Sequence, residues 1–134
     1  MVPCDQLQAA NNTINPLLQI ATDAYNEYPA RPINVIWPFS VGRGTAIHAY
    51  FANAIWELGG IYSAEVSYKN GLVVPYGTSG SVRADAVVGP VAQPSYVVDL
   101  KSGFGRATTS ETDAYRANLP KGTGMCQIVE ALGQ

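Results

Sequence analysis

Apolar residues recur at steps of three and four over residues 5–27, with Leu7, Ala10, Ile14, Leu17, Leu18, Ala21, Ala24 and Tyr25 on one stripe. That period predicts a helix. Pro16 falls inside it and should kink or split it, since proline lacks the backbone donor and crowds the preceding turn. Residues 28–43 lose the pattern and gather Pro29, Pro32, Pro38 and Gly42 with Trp37 and Phe39, which predicts an extended connector held down by its aromatics. The stripe returns over residues 44–58 through Ile47, Tyr50, Phe51, Ala54, Ile55 and Leu58. Thr45 is the expected cap of this second helix, and Gly59-Gly60 its stop.

Beyond Gly60 the period drops to two. Strands are expected at 61–68, 72–76, 81–88 and 95–101, with turns at Lys69-Asn70-Gly71 and at 77–80 and a loop at 89–94. Pro75 pushes the second strand toward a sheet edge. Residues 109–118 read as a helix capped by Thr109 or Ser110, with Glu111 and Asp113 in its first turn. Residues 124–132 are a short strand or helix. Helices on a mostly antiparallel sheet make an α+β, or mixed α/β, single domain. Within it, residues 1–41 form an N-terminal helix and Pro-rich connector, and residues 42–134 the core.

Composition narrows the picture. Charged residues are 13% of the chain against a usual ~25%, while 47% is hydrophobic, so disorder is excluded. A net charge of −2 excludes a polybasic nucleic-acid coat or cationic membrane peptide. No apolar run is long enough to span a bilayer, and the start of the chain lacks the pattern of a secretory signal. Cys4 and Cys126 lie near opposite ends and are expected to be free thiols rather than a bridge.

So few charges can be inspected one by one. Pairing Val88 with Tyr96 and stepping back symmetrically sets Asp85 opposite Asp99, with Lys101 on the same strand face as Asp99. Facing carboxylates repel. They need a cation between them, or one must keep a proton at a raised pKa. The plainer alternative is a structural salt bridge from Lys101 to one acid.

The frame VRADAVV…SYVVDLKSG resembles the PD-(D/E)xK nucleases, in which an Asp and a D/E-x-K tripeptide sit on adjacent strands. Ala84 stands where the motif has Pro. DLKSG followed by TTSETDAYRANLP is similar to toxin nuclease domains of bacterial polymorphic toxins, which belong to contact-dependent inhibition, Rhs and type VI secretion systems. The resemblance implies a restriction-endonuclease-like core, with a mixed, mainly antiparallel sheet of four to five strands flanked by helices. It implies a nuclease cutting DNA, or alternatively RNA, with Mg2+ or Mn2+. It also implies a C-terminal part of a larger secreted protein, delivered from a bacterium into a target cell's cytoplasm and neutralised by a cognate immunity protein. An inactive binding module on the same fold is the alternative. Asp85, Asp99 and the Leu100 carbonyl would ligate the metal, and Lys101 would position or deprotonate water or stabilise the phosphate.

Other candidates sit around this group. Glu65 is a third ligand if its strand neighbours the hairpin, or else a solvent-facing residue. His48 is either near the cleft or structural. Arg83, Arg106 and Arg116 are candidate phosphate contacts, Arg83 alternatively pairing with Asp85, and Tyr115 neighbours Arg116 on the downstream helix. Glu57 is expected at the surface. Residues 66–121 carry six bases and four acids, so the half with the proposed cleft is the basic half. No phosphate-binding loop, serine triad or Cys/His metal set is present. Lys101 beside the acids, and the lack of an aromatic sugar platform, disfavour a glycosidase.

Overall fold

Each predicted helix and strand period becomes an element, with boundaries shifted by up to a few residues except at the first helix, which begins six residues later than expected. The computed structural model describes residues 1–7, 11–29, 42–103 and 105–130. A 3-10 turn at Cys4–Gln6 precedes helix α1, Asn11–Glu27. α1 runs unbroken through Pro16, so the expected split does not occur. Pro16 lies early in the helix, where its lost hydrogen bond touches only the first turns. The expected connector, with Trp37 and Phe39, lies outside the described residues apart from its ends.

Helix α2 spans Arg43–Leu58 and is capped by the backbone of Gly42, not by Thr45. Its first turn must approach the loop that follows Leu100 closely. A Cβ on Gly44 would sit 3.2 Å from the Ser102 hydroxyl, so glycine suits that contact. Gly59, at φ 59, ends the helix as expected. The strands are β1 at Tyr62–Lys69, β2 at Leu72–Val74, β3 at Val82–Val88, β4 at Tyr96–Leu100 and β5 at Gly124–Ile128. Asn70 and Gly71 both take positive φ, the two-residue turn that Asn-Gly favours between strands. Helix α3, Thr109–Asn118, is capped not by Thr109 or Ser110 but one or two residues earlier, by Thr108 in a capping box with Glu111.

The architecture is α+β, with a mixed open sheet ordered β2-β1-β3-β4-β5. β1 to β4 pair antiparallel, and β5 adds in parallel beside β4. β2 is the edge strand that Pro75 implied. Buried side chains form two clusters. Ile14, Leu17, Ile47, Phe51 and Ile55 of the helices α1 and α2 pack with Ala64, Ala86, Val88, Val98 and Leu100 of the sheet. On the opposite face Tyr68, Ala84, Val87 and Val97 pack against Tyr115 and Leu119 at α3. The sheet is therefore a middle layer, buried on both faces through its central strands. None of the described helices is long and apolar enough to cross a membrane.

The cysteines correct the expectation of free thiols: Cys4 and Cys126 form a buried disulfide. The N-terminal segment runs alongside β5, with Pro3 bridged to Gln127 and the Gln127 amide donating to the Val2 carbonyl. Docking of the N-terminal segment beside β5 brings Cys4 to Cys126, which spacing along the sequence does not reveal.

Candidate functional site

The expected β3–β4 register holds: Val88 pairs Tyr96, Val87 pairs Val97 and Ala86 pairs Val98. Ladder pairing stops one step before Asp85 and Asp99. There the Leu100 amide donates to Asp85 Oδ2 at 2.6 Å, so a side chain replaces the neighbouring backbone as acceptor. Pairing is interrupted on the other side too. Ala64 pairs Ala86 and Val66 pairs Ala84, while Glu65 and Asp85 between them drop out. Glu65 has φ 55, a left-handed conformation that costs a non-glycine residue energy. Ala84 belongs to the α3-side core and Ala86 to the α1/α2-side core, although residues two apart normally share a face. Asp85 thus sits at a local twist between three strands, its carboxylate released from the regular pleat.

Asp99 lies 7% exposed at the end of β4, between Lys101 and α3. The Lys101 ammonium is 3.3 Å from Asp99 Oδ2 but hydrogen-bonds Glu111 Oε2 at 2.7 Å. Asp99 Oδ2 is left with an ion pair and no hydrogen bond. Burial and the Asp85 carboxylate push the Asp99 carboxyl up to about 6, against the pull of Lys101. The Asp85–Asp99 repulsion expected from the register is therefore present. Burial works against the Lys101 ammonium, yet Glu111 and Asp99 outweigh it and hold it above the usual lysine value. Lys101 in turn holds Glu111 below the usual carboxylate range.

His48 enters the same place from α2. Its Nδ1 lies 2.8 Å from the Gly44 carbonyl and its Nε2 2.8 Å from the Leu100 carbonyl. Both partners are acceptors, so both ring nitrogens must carry protons, which only the imidazolium does. Asp85 Oδ2, 3.7 Å from Nε2, adds the countercharge. Asp85 is the largest influence raising the His48 pKa, and it reaches about 9 although burial opposes the charge. The Leu100 carbonyl, expected to face a metal, is the acceptor for His48.

Three further residues support the site, of which the sequence offered only Tyr115 as a neighbouring candidate. Tyr25 of α1 donates to the Lys101 carbonyl at 2.6 Å. Tyr115 of α3 donates to the Arg83 carbonyl at 2.8 Å and lies 3.5 Å from Asp99 Oδ1. Glu111 holds Lys101, while sequence had marked it only as an acid at a helix start. Burial raises the hydroxyl pKa of both Tyr25 and Tyr115, so each stays a donor. A charged residue one turn before an aromatic on a predicted helix was the only available hint.

The remaining candidates spread out. Glu65 is exposed, on a strand that does neighbour β3. Arg83 is exposed and stacks over Tyr76, 4.8 Å from the ring centroid, with no ion pair to Asp85. Arg106 is exposed and donates to the Gly105 carbonyl. Arg116 is 3.8 Å from Asp113 on the solvent side of α3. Glu57 is exposed.

Among the described residues no group of three or more His, Cys, Asp or Glu side chains converges as a metal site. Two carboxylates remain, and one of them, Asp99, has a buried oxygen without a hydrogen bond, which fits an ion such as Mg2+ that takes one or two carboxylates and completes its shell with water or phosphate. No family model, curated protein or solved structure matches this chain.

Proposed function

We propose that the chain is a divalent-cation-dependent phosphodiesterase acting on nucleic acid. The observation that carries the reading is the meeting of Asp85, Asp99 and Lys101 where β3 and β4 stop pairing, with Asp99 buried, repelled by Asp85 and missing a hydrogen bond. A bound cation would relieve the repulsion, lower the pKa of a coordinated water and offset charge on the phosphate. Asp85 and Asp99 would hold it. Lys101, aimed by Glu111, stands beside Asp99 as a donor for a phosphate oxygen or for the attacking water. The resemblance of the D…DLK frame to PD-(D/E)xK toxin nucleases extends the proposal. The substrate is then target-cell DNA, with RNA as the alternative. The domain is delivered by a bacterium into a competitor's cytoplasm and silenced by an immunity protein. The disulfide supports passage through an oxidising compartment.

One observation favours the second reading, an inactive binding module. The His48 imidazolium already lies on the Leu100 carbonyl and beside Asp85, as a built-in cation. Incubation with plasmid DNA and with RNA separates the two. The nuclease reading expects cleavage with Mg2+ or Mn2+, none with EDTA, and loss of about two orders of magnitude or more in Asp99→Ala and Lys101→Ala, the scale of removing one electrostatic stabiliser. Equal, background-level cleavage by wild type and both variants overturns it.

A further inference from the structure

We infer that the face of β1 and β3 beyond the cover of α2, centred on Tyr76 and Arg83, binds single-stranded nucleic acid and leads it to Asp85. The inference rests on the nuclease reading and names its substrate class.

Tyr68 and Ala84 point into the α3-side core. Their neighbours Ser67, Lys69 and Arg83 therefore lie on the opposite face. Ser67 pairs with Arg83, and Lys69 pairs with Leu72, so the three share one patch with Leu72. The sheet residues that α1 and α2 cover on that side come from the other end of β1 and β3, namely Tyr62, Ala64, Ala86 and Val88. Its outer part is left to solvent, with Arg83 exposed, Leu72 68% exposed and Tyr76 78%, while Ser67 lies buried beneath.

Its chemistry is that of a strand-binding platform. Arg83 lies over the Tyr76 ring and leaves most of that ring open for a base. Nucleobases stack on aromatic rings and on guanidinium planes whatever their sequence. Among the described residues, Lys69 and Arg83 have no carboxylate partner, as is also true of Arg106 and Lys121 elsewhere, whereas Arg43, Lys101 and Arg116 do. Two free cations on one face, in a chain of eight, suit phosphates. Arg83 is two residues from Asp85 along β3, so a strand held at Arg83 lies within about 7 Å of backbone from Asp85. A duplex hides its base faces in its own stack, so an exposed ring selects single strands.

Fluorescence anisotropy of the whole protein in EDTA tests this without cleavage. The probes are short labelled single strands of DNA and of RNA, and the matching DNA duplex. Single strands of one or both sugars should bind more tightly than the duplex. Tyr76→Ala should weaken them at least about fivefold, the low end for one lost base stack, while Tyr76→Phe restores them. Arg83→Ala and Lys69→Ala should each flatten the salt dependence of binding, and Lys121→Ala should change little. Duplex binding as tight as single-strand binding, or unchanged binding by Tyr76→Ala and Arg83→Ala, overturns the inference. Single-strand binding by a protein that never cleaves in Mg2+ would leave the platform standing and remove the nuclease. Cleavage with unaltered binding in the variants would do the reverse.

Discussion

Asp99 and His48 carry opposite charges, and the folded chain raises both pKa values. Asp99 rises from 3.8 to about 6, so its contribution to stability is full below pH 3.8 and is lost as pH rises through 6. Asp99→Asn should therefore stabilise the protein by about 1–3 kcal/mol at pH 8 and by nothing at pH 4. Urea denaturation at the two pH values measures this, and a less stable Asp99→Asn at pH 8 contradicts it. His48 rises from 6.5 to about 9, so its stabilisation is present below pH 6.5 and lost through pH 9. The ring is more than a third exposed, so solvent screening reduces the effect to on the order of 1 kcal/mol. His48→Gln should remove that decline, which thermal melts at pH 6.5 and pH 9.5 would show. Both residues were visible in the sequence. The acids stood out on apolar strands in a chain poor in charge, whereas a lone histidine on a helix reads more readily as structural than as functional. Only its two carbonyl partners, one of them 52 residues away, decide that it is held protonated.

At the scale of elements, α3 joins folding to the proposed chemistry through one side chain. Glu111 closes the capping box with Thr108 and also holds Lys101. Glu111→Gln keeps a side chain able to reach back to the cap but loses the charge that aims Lys101. On the nuclease reading its kcat should fall several-fold with the melting temperature nearly unchanged. Glu111→Ala should lose both, with a stability cost of about 1 kcal/mol, the scale of a lost cap. Equal kcat in wild type and Glu111→Gln would separate Glu111 from the chemistry. Helices and strands were legible because apolar periods of 3.6 and 2 are local properties. Caps shifted by one to three residues, because Thr45, Thr109 and Ser110 are as competent in isolation as Gly42 and Thr108. The interruption at Glu65 and Asp85 left no trace, since the period-two pattern of 61–68 runs through it.

For the whole molecule, the disulfide between Cys4 and Cys126 spans 122 residues of sequence. A loop of that size restricts the unfolded chain strongly, by about 4–5 kcal/mol in the chain-entropy account. Replacing both cysteines by serine should lower the melting temperature by well over 10 °C, on the scale of about 3–6 °C per kcal/mol for a domain of this size. A shift of a degree or two would show that the packing of Cys4 and Cys126, rather than their bond, holds the N-terminal segment. That segment also receives the side-chain amide of Gln127 through the Met1 carbonyl, and Gln127 pairs with Asp99 across β4 and β5. Opening the disulfide should therefore loosen the strand that carries Asp99.

By itself the sequence determined the α+β class, the order of elements, the β3–β4 register and the concentration of Asp85, Asp99 and Lys101 on it. Each follows from local patterning, turn chemistry and the scarcity of charge. Tertiary structure alone decided the cysteine pairing, the parallel docking of β5, the capture of the Leu100 carbonyl by His48, the hold of Glu111 on Lys101 and the open face around Tyr76. These depend on which distant segments meet once the sheet has assembled, and contacts of that range are set by packing of the whole chain rather than by any window along it.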